Sequence, residues 1–293
     1  MTATRAPRLA AAGRVARIAA LDGPAKRAGK AVRGALSPGP LRDALAGTWL
    51  GHALHPVLTD TVIGTWMSAT LLDVTGGDRA AARRLVGAGV IAALPTAVTG
   101  LADWADSEAA DDGVRRVGAV HAVANNAALG LQVASLVARG RGRDGRGAAL
   151  SLVAMGGVAA SAYLGGYLSF ERGVGVDQTA FDPGPADWTP AMAAADLREG
   201  ETTSVVVGDT PVLLVRSGGR VRALHDRCSH RGCSLAEGDL DGDVIQCGCH
   251  GSRFRLDDGA IERGPATAPQ PVLDVREADG SIDVRLASAS ALG

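Results

Sequence analysis

Within 23 residues this chain places four cysteines and two histidines, as CSHRGC at 228–233 and CGCHGS at 247–252 with 13 residues between. No other cysteine occurs in the chain. A secreted disulfide scaffold spreads its cysteines, so this concentration points to a metal site. The spacings C-x-H and C-x2-H let each short loop donate one thiolate and one imidazole. A [2Fe–2S] cluster with two thiolates on one iron and two imidazoles on the other needs two such loops. Cys228, His230, Cys247 and His250 are the candidate ligands. Neutral imidazoles leave such a centre less negative than an all-cysteine cluster, so it is easier to reduce. Three other readings compete. Structural zinc pairs C-x2–4-C with H-x3–5-H rather than two mixed halves. A pair of disulfide-bonded loops leaves both histidines unexplained, and isolated surface histidines would not fall at these spacings.

The elements that hold these loops are short and alternating. From about residue 193 the segments TSVVVG, PVLLVRS, RVRALHD, DVIQCG, SRFRL, PVLDVRE and SIDVRL are separated by turn residues such as Ser217-Gly218-Gly219 and Asp257-Asp258-Gly259. Strands with regular turn signals predict an all-β domain over 193–288. Before it, residues 171–192 are polar with Gly and Pro and read as a linker.

The segment from about 193 to 286 resembles the Rieske [2Fe–2S] family, with CSHRGC and CGCHGS matching its two cluster-binding boxes. The resemblance carries the family's ligands onto Cys228, His230, Cys247 and His250. It implies a disulfide between Cys233 and Cys249, as in cytochrome-bc-type members, and a Ser252 hydroxyl hydrogen-bonded to a bridging sulfide. That branch has a tyrosine two residues further on, where this chain has Phe254. One hydrogen bond that stabilises the reduced cluster is therefore expected to be missing. GPATAPQP (264–271) is similar to the Pro-rich loop that covers the cluster. RGPATAPQPVLDVR is similar to Rieske ferredoxins and to the ferredoxin-like domains of ring-hydroxylating oxygenases.

Residues 44–170 differ in kind. Uncharged runs cover Leu85 to Ala102, Val117 to Ala138 and Gly147 to Phe170, and Ala44 to Leu72 is broken only by Asp60. About 20 apolar residues span a bilayer as a helix. Four transmembrane helices are expected, the first beginning near His55-Pro56 because proline suits a first turn. Gly157, Ser161 and Gly165 supply the small-residue spacing that lets membrane helices approach. Trp104 falls where an interfacial aromatic is expected. GHALHPVLTDTVIGTW (51–66) and the run after it resemble a family of uncharacterised four-helix membrane proteins. His52, His55 and His121 form a speculative membrane site for haem or a quinone, with Asn125 one turn from His121; the alternative is polar packing between helices. Residues 1–43 carry nine Lys/Arg against Asp22 and Asp43. They read either as a basic amphipathic helix on a membrane or as a solvated, unfolded tail.

The expected architecture is therefore an α-helical transmembrane bundle followed by an all-β Rieske domain. A near-balance of 30 Lys+Arg and 31 Asp+Glu argues against a nucleic-acid partner. An oxygenase needs mononuclear iron on two histidines and a carboxylate, and the soluble part offers only His225 beyond the cluster set. The plainest reading is a membrane-anchored single-electron carrier, more an electron-transfer protein than a stand-alone enzyme. It would work between a reductase or quinone and an unknown acceptor. A component of a multi-subunit oxygenase and a redox sensor are the alternatives. Charge tallies conflict on the cluster's side of the membrane. Twelve Lys/Arg fall on the side of the termini, and seven in the two other loops. By the positive-inside rule this favours a cytoplasmic Rieske domain. RGRGRDGR, before the last span, also lacks an adjacent arginine pair for twin-arginine export.

Overall fold

The structure is a computed structural model describing residues 7–287. Helices α1 (Pro7–Val15) and α2 (Asp22–Ala35) are followed by the short α3 (Pro40–Ala46). Four long helices come next: α4 (Leu54–Thr75), α5 (Arg79–Ser107), α6 (Asp112–Gly140) and α7 (Asp144–Gly166). The chain forms two compact units. One holds residues up to Ser37 with Ala53–Val174; the other holds Pro38–His52 with Gly175 onward.

In the helical unit, small residues set the packing distances. A Cβ at Gly89 of α5 would lie 2.2 Å from Trp66 Nε1, and one at Gly118 of α6 would lie 2.2 Å from Trp104 Cδ1. Trp66 donates to Val86 O at 3.3 Å. On α7, a Cβ at Gly157 would lie 3.8 Å from that of Ala128 on α6, and Gly165 faces the His121 ring. A buried polar seam binds α4, α6 and α7: Ser151 donates to Gln132, Ser135 donates to Gly147 O, and Arg139 holds Ser135 and Asp73. Asp78 and Asp111 cap α5 and α6 by accepting from the first free backbone N–H groups. Three helical stretches, Arg79–Ser107, Asp112–Gly140 and Asp144–Glu171, are long and apolar enough to cross a membrane. Helix α4, which carries Asp60 and Asp73, is not one of these three.

Three boundaries differ from the sequence reading. The uncharged run Ala44–Leu72 is split, because Gly47 and Gly51 adopt left-handed φ values of 89° and 83° and turn the chain before α4. The basic stretch 1–43 is not simply a solvated tail. Within it α2 is helical, and its Arg33 donates to Ala105 O and to the Glu108 carboxylate. Asp22, at the start of α2, pairs with Arg116 at 2.7 Å. Ion pairing at the helix ends gives these charges specific partners. Finally, the stretch read as linker contains strand β1 (Thr189–Ala193), whose register with β10 closes one edge of the β unit.

The β unit has two antiparallel sheets. Strands β2 (Thr202–Val207), β3 (Thr210–Ser217), β4 (Arg220–His225), β9 (Val272–Ala278) and β10 (Ser281–Leu286) join β1 in the order β1-β10-β9-β4-β3-β2. The smaller sheet, β5 (Asp239–Asp241), β6 (Val244–Gln246), β7 (Arg253–Arg255) and β8 (Ile261–Arg263), lies between β4 and β9 in sequence. Side chains alternate across a strand, and β3 uses both faces. Val212 and Leu214 enter one core with Leu273 and Ile282. Leu213 and Val215 enter a second, with Leu224, Ile245, Phe254, Cys228 and Cys247. Its continuous apolar run is therefore a wall between two cores, and the second core is the floor of the cysteine loops.

Glu108 is 1% exposed and receives both Arg33 and Arg115, the latter 4% exposed. Removing one partner of a buried ion pair strands the other charge, at a cost of about 3–5 kcal/mol. Glu108→Ala is expected to lower the thermal unfolding midpoint of the detergent-solubilised chain accordingly. An unchanged midpoint would contradict the burial argument.

Candidate metal centre

The two cysteine loops share one backbone scheme. In the first, Cys228 N–H donates to Cys233 O at 2.8 Å and Gly232 N–H donates back to Cys228 O at 2.8 Å. In the second, Cys247 N–H donates to Ser252 O at 2.8 Å and Gly251 N–H donates to Cys247 O at 3.0 Å. Each loop turns at a glycine four residues after its cysteine, with φ of 77° at Gly232 and 81° at Gly251. A side chain at either would be strained in this left-handed region. In both loops the amides two and three residues on point at the cysteine sulfur: His230 and Arg231 toward Cys228, Cys249 and His250 toward Cys247. Such donors stabilise a thiolate.

These repeated loops bring the predicted side chains together. Cys228 and Cys247 are buried free thiols, and the His230 and His250 rings meet edge to face with centroids 5.0 Å apart. Cys233 and Cys249 are disulfide-bonded, joining one loop to the other. The Cys247 thiol lies below the ordinary range because it accepts a hydrogen bond from Cys228, whose own thiol is pushed up by the same contact and by burial. Burial first, then the electrostatic influence of His250, Arg231 and Arg42, holds His230 well below the usual imidazole range. Two thiols and two neutral imidazoles are the donor set of a [2Fe–2S] centre with mixed ligation, so the residues present fit that group.

Side chains from distant strands hold the loops. Buried Asp226 accepts from Ser204 Oγ, Ser234 Oγ and Ala236 N–H at 2.7–2.8 Å. Gln270, 2% exposed, donates to His225 O and Arg227 O and accepts from Ser229 N–H. Ser229 Oγ donates to Ala268 O, which ties the first loop to the Pro-rich loop 264–271. Ser252 is fully buried and accepts from Ala266 N–H at 3.0 Å, which leaves its own proton to donate. Phe254 is fully buried in the core that contains both free cysteines. Sequence reasoning missed Asp226, Ser229 and Gln270. Their type carries no signal without the fold that brings residue 270 to residue 229.

Of the three other predicted histidines, His55 and His121 lie in the helical unit, near enough to act on each other electrostatically. His52 closes the Pro38–His52 segment, which belongs to the β unit. His55 Nδ1 lies 2.9 Å from Thr96 O, and its ring sits where a Cβ at Gly100 would be. His121 uses both nitrogens: Nδ1 donates to Ser161 O at 2.9 Å, and Nε2 accepts from Asn125 at 3.0 Å. His225 is also engaged, with Nε2 3.1 Å from Asp182 Oδ2 and Nδ1 accepting from Arg227 N–H.

Comparison with known proteins divides the chain in the same way. The pattern of the Rieske [2Fe–2S] domain matches residues 187–277, and that of a predicted membrane protein family (DUF2231) matches 51–178. Ferredoxin CarAc of Metapseudomonas resinovorans is 38% identical over 98 residues, covering 33% of this chain and 92% of the relative. The anthranilate 1,2-dioxygenase ferredoxin subunit of Burkholderia cepacia is 32% identical, covering 34% and 94%. Among solved structures, a complex of reduced oxygenase and oxidised ferredoxin in carbazole 1,9a-dioxygenase matches with 36% identity and a TM-score of 0.33, over 34% of this chain and 96% of that one.

Phe254→Tyr places a hydroxyl in the core beside the free cysteines. A new hydrogen bond to the cluster's sulfur would favour the reduced state by about 1 kcal/mol, on the order of 40 mV upward for one electron. Redox titration followed by electron paramagnetic resonance checks this, and an unchanged or lower potential would contradict it.

Proposed function

The chain belongs to the Rieske [2Fe–2S] family, and from that premise we propose that it is a membrane-anchored carrier of single electrons. The observation that carries this reading is the pair of matched loops, which converge two thiols and two imidazoles from opposite sides. Cys228 and Cys247 would hold one iron, and His230 and His250 the other. The cluster, when bound, takes up and releases one electron without breaking a bond. The chain's own residues keep that site dry and rigid. Phe254, Leu213, Ile245 and Leu256 exclude water from the thiolate side. The disulfide, Asp226 and Gln270 prevent the loops from separating, as outer-shell partners do around other metals.

The ferredoxin relatives support a protein partner of the reductase or oxygenase kind, with a quinone as the alternative donor. An oxygenase site within this chain is not favoured. His225, the histidine nearest the β strands' own network, is committed to Asp182 and Arg227. In the helical unit, the bonds of His55 and His121 to Thr96 and Ser161 favour a packing role over haem or quinone ligation. Helix α4 would be the fourth span beside the three apolar ones, its Asp73 neutralised by Arg139. An even number of spans puts both termini in one compartment, and the basic N-terminal region argues for the cytoplasm.

Two experiments test this reading. Reduced full-length protein in detergent should show the electron paramagnetic resonance of a Rieske centre titrating with one electron. His250→Ala should abolish that signal, and stoichiometric zinc in place of iron would overturn the assignment. For the topology, a fluorescent reporter fused after Gly293 is expected to light up. Alkaline phosphatase activity at that position, without fluorescence, would put the cluster outside.

A further inference from the structure

The segment Pro38–His52 precedes the long helices in sequence, yet it is part of the β unit, and it lies on the cluster loops themselves. Three contacts fix it. Arg42 Nη1 donates to the carbonyl of His250 at 3.2 Å. Thr48 Oγ1 donates to Ala266 O, in the Pro-rich loop, at 3.0 Å. Pro38 packs on Gly251, where an added Cβ would lie 3.2 Å from its ring. The β unit is shaped to receive the segment, since a Cβ at Gly264 would come within 2.2 Å of Thr48 Oγ1.

The contact puts a full positive charge at the histidine end of the site. Arg42 is only 8% exposed, so water screens it little. Asp43, next to Arg42, places its Oδ1 against Gly264 at the start of the Pro-rich loop. Reduction adds one negative charge to the cluster, so a cation held beside the imidazoles favours the reduced form. Net charge around the centre is a main determinant of such potentials.

We infer that Pro38–His52 is a fourth wall of the cluster site, and that Arg42 on it is a positioning and tuning residue that raises the cluster's reduction potential. The inference rests on the cluster reading above. It gives the N-terminal segment a redox role that neither cysteine box contains.

The test compares full-length wild type, Arg42→Gln and Arg42→Lys by redox titration, following the Rieske resonance. Glutamine can still donate to His250 O but carries no charge, whereas lysine keeps the charge. Arg42→Gln is expected to shift the equilibrium against a fixed mediator about tenfold toward the oxidised form, which is about 59 mV downward for one electron. Arg42→Lys should stay within about twofold of wild type. Equal potentials in all three would overturn the inference, as would an equal fall in both variants, which would mean geometry rather than charge. Should Arg42→Gln fail to load iron, Thr48→Val carries the test. Loosening the segment at Ala266 should lower the potential in the same direction, and an unchanged value would count against it. Absence of the resonance from wild type would instead sink the cluster reading, so the two failures are distinguishable.

Discussion

Everything in the β unit follows from one requirement: two thiolates and two imidazoles must be held within a few ångströms of one another. Two loops that each carry one of each ligand meet that requirement only if they cannot drift apart. The protein answers by building the same turn twice, with a glycine in the left-handed region at the fourth position after each cysteine. It then locks the copies to each other with the Cys233–Cys249 bond. The small sheet β5-β6-β7-β8 exists between β4 and β9 to deliver the second copy opposite the first. Strand β3, apolar on both faces, separates the core that supports this delivery from the core that supports the larger sheet.

The helical unit solves a different problem with different means. Its spans are rich in alanine and glycine, and in lipid such helices gain little by burying apolar surface. Close approach replaces that gain, which is why Trp66 and Trp104 fit against glycines of neighbouring helices. Hydrogen bonds among Ser135, Ser151 and Gln132, the last accepting from Ser151, specify which faces meet. His121 belongs to this second set. An imidazole inside a membrane span invites a cofactor reading, but a ring with a serine carbonyl on one nitrogen and an asparagine amide on the other already has a structural use.

How much of this was legible in the sequence depends on the range of the interaction. The ligand pairs were legible because each is local, a cysteine and a histidine two or three residues apart. The strands were legible because period-2 alternation is local too. The pairing of Cys233 with Cys249 came only through family resemblance, since spacing does not specify connectivity. Asp226 and Gln270 were not legible, because what makes them structural is a contact across as many as 45 residues. The start of the first long helix was legible from His55-Pro56, and α4 begins at Leu54, whereas the domain boundary at 44 was drawn from an uncharged run that began ten residues before the helix. Absence of charge does not distinguish a chain entering lipid from one lying on a protein surface, and Gly47 and Gly51 mark where the chain turns.

That last ambiguity has a consequence for how the two units can be separated. The chain leaves the helical unit at Ser37, contributes Pro38–His52 to the β unit, and returns at Ala53 before finally crossing over at Val174. The units are therefore interleaved in sequence rather than strung end to end. A fragment starting at Gly175 keeps both cysteine boxes, the disulfide and the Pro-rich loop, and nothing in its own sequence signals a missing part. It would nonetheless expose Gly251, Gly264 and the carbonyls of His250 and Ala266, which in the full chain are covered or hydrogen-bonded by Pro38, Arg42 and Thr48. Uncovering polar groups beside a cluster admits water and raises the local dielectric, and both change the field that the cluster senses. Matches of 98 and 101 residues cover 92% and 94% of the two ferredoxin relatives, and the Rieske pattern itself falls on residues 187–277. The segment at 38–52 lies outside that stretch of sequence, yet Arg42 within it donates to the carbonyl of His250.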